Sequence, residues 1–399
     1  MIFLSYWFVV FALAFLPIFY LVQRPRLRLA CLAVGCVAFH GHFAGPAGVI
    51  PIIVLGVLTY LCALSRWRWL CALAMVACAS SLIFYKYTQF LAESLSALWP
   101  DGGAAMLATA KPILPALPPL AISFFVFEFV HYLFDVLHGS PPIKNPLHFG
   151  LFAIFWPSLV AGPIKRYQQF VPSLLKGVET VAASDAMLGL LRVVGGMLKK
   201  VVADNLTLWI DAHDTGFATL DLSTRWLFLG LLALRIYLDF SGYSDMAIGF
   251  ARMMGVHLPE NFNWPYVARS IDEFWSRWHI SLSSWIRDYI YIPLGGSRHG
   301  LARKIINGFL AFAICGLWHG ADWRFLVWGL YHGGGLAISA NYERALGAPG
   351  RAIAGVFGRF PPLGFIVTLL FVCIGWLFFF YPVKTALRMM SLLVPGSTP

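Results

Sequence analysis

Charge is scarce in this chain: 12% of its 399 residues, with 18 Asp and Glu against 29 Lys and Arg. Globular soluble domains carry roughly a quarter charged residues, so the composition excludes an ordinary soluble protein. Basic blocks are missing too. The Lys and Arg residues behind the net charge of +11 lie between apolar runs rather than interleaved with polar residues. That argues against nucleic acid as a partner and fits short loops beside anionic membrane lipid. The seven cysteines (Cys31, Cys36, Cys62, Cys71, Cys78, Cys315 and Cys373) all fall in apolar segments, and none has metal-ligand spacing. They read as small buried hydrophobes, neither disulfides nor ligands. Internal repeats and low-complexity segments are absent, as is the alternating pattern of a membrane β-barrel. The first segment, MIFLSYWFVVFALAFLPIFYL, has no basic start and no small-residue cleavage site, so it is expected to be a retained helix.

What is abundant is apolar: 59% of residues are hydrophobic and 16% aromatic. Continuous runs near the ~20 residues that span a bilayer occur at 2–22, 29–44, 49–64, 69–92, 113–138, 187–209, 224–250, 304–319, 323–340 and 363–381. Two more, 147–163 and 271–294, are broken by Pro, Gly and charge. They read as re-entrant or interfacial pieces, tolerated where protein or water satisfies the backbone. The expectation is an all-α polytopic membrane protein, one domain over residues 1–399, with about 10–12 transmembrane or re-entrant helices. The basic loops QRPRLR (23–28) and SRWR (65–68) set the orientation. With both in the cytoplasm the N-terminus is extracytoplasmic, the acidic stretch from Glu93 to Asp101 lies outside, and Lys144, Lys165, Arg166 and the segment Arg252 to Lys304 lie inside.

An ionisable side chain at membrane depth costs about 2.5–3.5 kcal/mol on insertion scales, so each is a functional candidate. In EFVHYLFDVLH, Glu128, His131, Asp135 and His138 share one helical face. A metal site there would need matching ligands on other helices; no second Glu-x-x-His and no histidine box is present. A polar face that lines a cavity or pairs with arginine is the favoured reading, and no metal is expected. In YLDFSGYSDMAIG, Asp239, Ser241, Ser244 and Asp245 are expected to interrupt a helix with Gly242 and to anchor its neighbours. The stretch from Leu258 to Gly300 mixes Trp275, Trp278 and Trp285 with Arg277, Arg287, Asp288 and His279. Interfacial Trp and Arg are ordinary. An aromatic-rich amphipathic segment with a histidine, followed by Pro-Leu-Gly-Gly, can shape a narrow slot. His279 alone stays open between a packed core histidine and a site member. His319, in GLWHGADW, is the sharpest candidate. Its apolar flanks favour the neutral imidazole, which can accept a proton, and Gly316 and Gly320 let backbone or a thin substrate chain come close.

Three long motifs follow one another in order: YLDFSGYSDMAIGFARMMGVHLPENFNWPY, IDEFWSRWHISLSSWIRDYIYIPLGGSRHG and GLWHGADWRFLVWGLYHG. Together with WPSLVAGPIKRYQQF and CIGWLFFF they resemble the membrane-bound O-acyltransferase superfamily over roughly residues 120–380. The resemblance is strongest to the bacterial branch of the alginate O-acetyltransferase membrane component and the teichoic acid D-alanyl transfer protein. It implies a ring of tilted helices around a central tunnel in the bacterial cytoplasmic (inner) membrane. The superfamily's essential histidine maps onto His319, and the branch's second histidine onto His279. The implied reaction moves an acyl group from a cytoplasmic thioester to an extracytoplasmic hydroxyl, on a polysaccharide or on a periplasmic acyltransferase partner. His319 would be the general base, and His279 would polarise the carbonyl or orient His319. No permanently bound cofactor is implied. Acetyl-CoA is the first choice of donor, with a D-alanyl-loaded acyl carrier protein as the alternative, which the chain's shortness favours. Arg277, Arg287 and Arg298 are expected at the donor mouth, and Trp275, Trp278, Trp285 and Trp318 along the tunnel. The chain departs from the pattern at Phe380, where arginine is expected. A transporter is the rival class, although the two halves show no inverted hydropathy symmetry.

Overall fold

The computed structural model describes residues 2–112 and 118–396. The start of the expected span 113–138 lies outside the described residues. Within them the chain is helical, and its extended pairing is confined to an isolated antiparallel bridge between Phe262 and Trp278. Among the described residues, five helical stretches are long and apolar enough to cross a membrane: Pro25–Ser65, Arg68–Leu98, Leu222–Met253, Gly300–His319 and Pro361–Phe380. The chain is a multi-pass membrane protein.

The chain divides into two compact units, each with its own core. The first comprises residues 1–195 and 244–259. It contains α1 (Tyr6–Leu21), α2 (Pro25–Ser65), α3 (Arg68–Leu82), α4 (Thr88–Leu98), α5 (Pro100–Ala110), α6 (Ile122–Leu137), α7 (Pro146–Ile154), α8 (Tyr167–Thr180), the start of α9 (Ala183–Asp214) and the end of α10 (Leu222–Met253). The expected spans 29–44 and 49–64 are the two arms of α2. Between them Gly45 adopts φ 61°, ψ 174°, and Pro46 follows. A left-handed glycine before a proline cannot continue a helix, so the chain kinks there.

Trp156 is fully buried at the centre of this unit, with the rings of Phe8, Phe11, Phe39 and Phe250 at 5.4–5.9 Å. Charge at depth is paired. Lys165 Nζ donates to Glu128 Oε1, with the two side chains 1% and 7% exposed. Arg28 caps two carbonyls, Val22 O at 2.9 Å and Val178 O at 2.7 Å. The acidic face of α6 is thus held by Lys165 and, at Asp135, by Gln168 Nε2 at 2.7 Å. Of the expected cavity lining or ion pairing, the structure shows pairing at Glu128, with a lysine.

The second unit comprises residues 196–243 and 260–396 of the described chain. It holds the rest of α9 and α10, then α11 (Ile271–Arg277), α12 (Ile280–Ile286), α13 (Gly300–His319), α14 (Trp323–Ser339), α15 (Tyr342–Leu346), α16 (Ala348–Arg359), α17 (Pro361–Phe380) and α18 (Val383–Ser391). One expectation is corrected here. Helix α10 is continuous from Leu222 to Met253, so Gly242 does not interrupt it. Instead Gly242 lets α9 approach: a Cβ there would sit 2.7 Å from Gly196 O. The acidic residues are consumed in pairing, Asp239 with Lys200 at 2.8 Å in this unit and Asp245 with Arg192 at 3.0 Å in the first.

Candidate active site around His279 and His319

Two short pieces of chain clamp His279. Residues 261–263 run antiparallel to 277–280: Asn263 N donates to Arg277 O at 2.9 Å, and Ile280 N donates to Asn261 O at 3.0 Å. Trp278 and His279 join α11 to α12, and His279 turns the chain at φ 42°, ψ 54°. Left-handed backbone is unfavourable for a residue with a Cβ and persists only where the surroundings over-determine it. The ring is 1% exposed. Its Nδ1 lies 3.1 Å from Asn261 Oδ1, which also accepts from Ser281 Oγ at 2.7 Å and Ser281 N at 3.3 Å. Among the described residues, Nε2 has no hydrogen-bond partner.

His319 is the last residue of α13 and is half-buried. The rings of Trp318, Trp328 and Phe379 surround it at 4.9, 5.1 and 5.2 Å. Trp318 also lies 6.1 Å from the His279 ring, and Phe240 closes the far side of His279 at 4.7 Å. The fold therefore brings together two histidines that are 40 residues apart in sequence (319 − 279). They lie close enough to interact electrostatically. His279 sits between α11 and α12, outside the long apolar helices; burial first, and then the neighbouring His319, hold its imidazole well below the usual histidine range. Such a pair, one ring in an aromatic box and the other with its nitrogens differentiated, can move a proton at a carbonyl centre.

A cavity of about 480 Å³ lies between α11, α12, α13 and α14; neither histidine is in its lining. Its buried lining includes Trp275, Ile286, Ala311, Cys315 and Gly333; its more accessible lining includes Asp272, Arg287 and Lys304. Cys315 stands one turn before His319 on α13, and Ile280, also in the lining, directly follows His279.

The other expected site residues separate. Trp318 touches both imidazoles, and Trp275 lines the cavity and packs on Trp328 at 5.8 Å. Trp278 packs away from them, on Trp376 at 4.9 Å and Phe262 at 5.0 Å, and Trp285 packs on Tyr289 at 5.3 Å. The three arginines do not form one cluster. Arg277 is engaged by Glu273 at 2.8 Å and by Asn263 O at 3.1 Å. Arg287 is exposed and pairs with Asp288 at 2.8 Å, and Arg298 Nη2 donates to Ile292 O at 3.4 Å. Of the three, Arg287 alone lines the cavity.

Of the two uses expected for the glycines beside His319, the structure shows close approach of protein rather than of a substrate chain. A Cβ at Gly316 would lie 2.1 Å from Phe325 O, and one at Gly320 would lie 2.1 Å from the Phe325 ring. Helix α14 fills the space that the sequence left open for a substrate chain. Asp322 is the N-cap of α14, accepting from Arg324 N at 2.9 Å. At Phe380, two guanidinium groups converge from other helices. Arg235 lies over the ring at 5.0 Å, and Arg324 Nη1 donates to the carbonyl at 2.8 Å.

Sequence reading did not single out Asn261, Ser281, Phe240, Trp328, Phe379 or Lys304. None carries a local signal: an asparagine in ENFNWP and a phenylalanine in FFFY look like turn and core. Among the described residues, no group of three or more His, Cys, Asp or Glu side chains is arranged to hold a metal ion.

The helices and their apolar lengths define a multi-pass membrane protein, and comparison with known proteins gives the class more narrowly. The sequence model of the membrane-bound O-acyltransferase family matches residues 120–381, and the chain belongs to that family. It is a membrane O-acyltransferase. It is 37% identical over 390 residues to a probable alginate O-acetylase of Pseudomonas putida, covering 93% of this chain and 76% of the relative. It is 35% identical over 338 residues to a peptidoglycan O-acetyltransferase of Helicobacter pylori, covering 78% of this chain and 61% of the relative. It is also 29% identical over 251 residues to a teichoic acid D-alanyltransferase of Bacillus subtilis, covering 60% of this chain and 62% of the relative.

Proposed function

We propose that the chain transfers an acetyl group from a cytoplasmic thioester, acetyl-CoA, to a hydroxyl of an extracytoplasmic polysaccharide, at a centre formed by His279 and His319. The observation that carries this reading is the convergence of both imidazoles on Trp318, in a chain that aligns over 93% of its length with a probable alginate O-acetylase. The hydroxyl oxygen attacks the thioester carbonyl, one imidazole takes the hydroxyl proton, and the C–S bond breaks to release thiol. The aromatic walls around the pair exclude water, which limits hydrolysis of the thioester. The cavity suits the donor's arm: Arg287 and Lys304 supply positive charge for phosphate, and Trp275, Ala311 and Cys315 supply an apolar interior. The membrane is the bacterial inner membrane, with the N-terminus outside. The acceptor is reached directly or through a periplasmic acyltransferase partner.

D-alanyl transfer from a carrier protein is the second reading, supported by the likeness to the teichoic acid enzyme. The test supplies purified protein in proteoliposomes with labelled acetyl-CoA and, separately, with a D-alanyl-loaded carrier. Thiol release from acetyl-CoA alone is expected, and release from the carrier alone overturns the acetyl assignment. His319→Ala is expected to abolish transfer while the protein stays monodisperse; retained transfer removes His319 from the chemistry.

A further inference from the structure

We propose that the segment between α14 and α17 is an in-plane membrane element: α16 lies on the bilayer surface, and its arginines and that of α15 bind the headgroup phosphates of anionic phospholipid. The inference goes beyond the acyl-transfer reading above and does not rest on it.

The segment starts and ends at one membrane face. Helices α14 and α17 run antiparallel: near the start of α14, Arg324 Nη1 donates to Phe380 O at the end of α17 at 2.8 Å, and further along Tyr331 OH donates to Phe371 O at 2.8 Å. The end of α14 is also tied to the first turns of α13, where Lys304 Nζ donates to Asn341 Oδ1 at 2.8 Å. Residues 340–360 therefore leave and rejoin the helices on the face where α13 and α17, two of the long apolar helices, begin. Within that segment α16 has 12 residues. At 1.5 Å per residue it is about 18 Å long, too short to cross ~30 Å of hydrocarbon.

Its sequence is amphipathic. Ile353, Val356 and Phe357 stand three and four residues apart and share one arc, while Arg351, Gly355 and Gly358 lie on the opposite arc. Protein leaves the apolar arc open: Ile353 is 41% exposed, Val356 48%, and Phe360, just past the helix end, 59%. The charge is unspent too. Arg344, Arg351 and Arg359 are exposed, and none makes a side-chain hydrogen bond or ion pair among the described residues. Glu343 is the one acid in the segment.

A partner has to meet both surfaces at once. A soluble acidic protein would engage the arginines and leave the apolar arc in water. A bilayer covers the arc with hydrocarbon and presents phosphate beside it, within reach of arginine. Each basic residue near an anionic surface strengthens the attraction about fivefold. Because Asn341 also lines the cavity, the lipid-held segment is joined to the cavity wall.

The test reconstitutes the full chain in vesicles of phosphatidylcholine mixed with phosphatidylglycerol. A photoreactive phenylalanine analogue replaces Val356 on the apolar arc or Gly358 on the opposite one, and mass spectrometry identifies what each captures. Lipid is expected at Val356, with phosphatidylglycerol enriched about fivefold or more over its share of the vesicle, and lipid capture is expected to fall sharply at Gly358. Combining Arg344→Gln, Arg351→Gln and Arg359→Gln should return the ratio at Val356 to the bulk value. These side chains hold no protein partner, so the variant is expected to stay monodisperse. Salt on the wild type is the independent measurement: screening shrinks to about 3 Å at 1 M, so the enrichment should fall there as well. Lipid captured without enrichment, enrichment that survives salt, or equal capture at Val356 and Gly358 overturns the inference. In intact cells, capture of a soluble protein rather than lipid at Val356 overturns it in favour of a protein partner. Should the triple variant fail to fold, the salt series on wild type decides.

Discussion

Lys165 and Glu128 show what a charged residue requires inside this protein. Neither is exposed to any useful extent, and each is the other's neutralising partner. Removing one partner of a buried pair strands the other charge, which costs about 3–5 kcal/mol, whereas removing both can be nearly neutral. Lys165→Met is therefore expected to lower the thermal midpoint of the purified protein sharply, and Lys165→Met with Glu128→Leu is expected to recover more than half of that loss. Equal loss in the single and double variants would show that packing, not charge, holds the site. The same logic separates the histidines. His279 has a fixed hydrogen-bond partner and a strained backbone, whereas rings box in His319. Sequence reading saw two ionisable side chains in apolar surroundings. It had no means of seeing that an asparagine 18 residues upstream (279 − 261) differentiates the nitrogens of one of them.

At the scale of elements, small residues set the helix crossings. Helices α13 and α14 meet where Gly316 faces Phe325 O and Gly329 faces Phe312 O, with notional Cβ atoms at 2.1 and 2.2 Å. Close backbone approach through small residues is how membrane helices associate, since lipid provides little apolar drive. Gly316→Ala puts a methyl group against a backbone carbonyl that cannot step aside. A destabilisation of about 1–3 kcal/mol is expected, seen as a lower midpoint and reduced monodisperse yield. Gly230→Ala on α10, where a Cβ meets nothing within 4 Å, serves as the control and should match wild type. A Gly316→Ala protein as stable as the control would mean that the crossing is looser than the backbone contact implies. The apolar runs of both helices were legible from their composition, and so was the break at Gly320. Close backbone approach was one of two uses legible at these glycines; that α14 takes the space was not, because a glycine's neighbour is fixed by packing and not by its flanking sequence.

For the whole molecule, the distribution of basic loops makes a topological claim that can be checked directly. The loops at 23–28 and 65–68 and the segment Arg252 to Lys304 carry the positive charge expected on the cytoplasmic side. An epitope fused before residue 1 is expected to be cleaved by protease added outside spheroplasts, and one inserted at Arg298 is expected to be protected until the membrane is opened. The reverse pattern would turn the cavity that bears Arg287 and Lys304 away from a cytoplasmic donor and remove the support it gives to the acetyl-CoA reading.

The sequence by itself determined the class. Scarce charge and continuous apolar runs admit only membrane helices, because backbone groups in hydrocarbon must bond within their own segment. The order of three motifs then pointed to the family and to His279 and His319. Tertiary structure decided what those residues meet. Pairing of Lys165 with Glu128, the separation of Trp278 from Trp318, the filling of the space at Gly316 and the asparagine behind His279 all depend on contacts between distant segments. Periodicity describes only one segment's own faces, so contacts of that kind leave no trace in it.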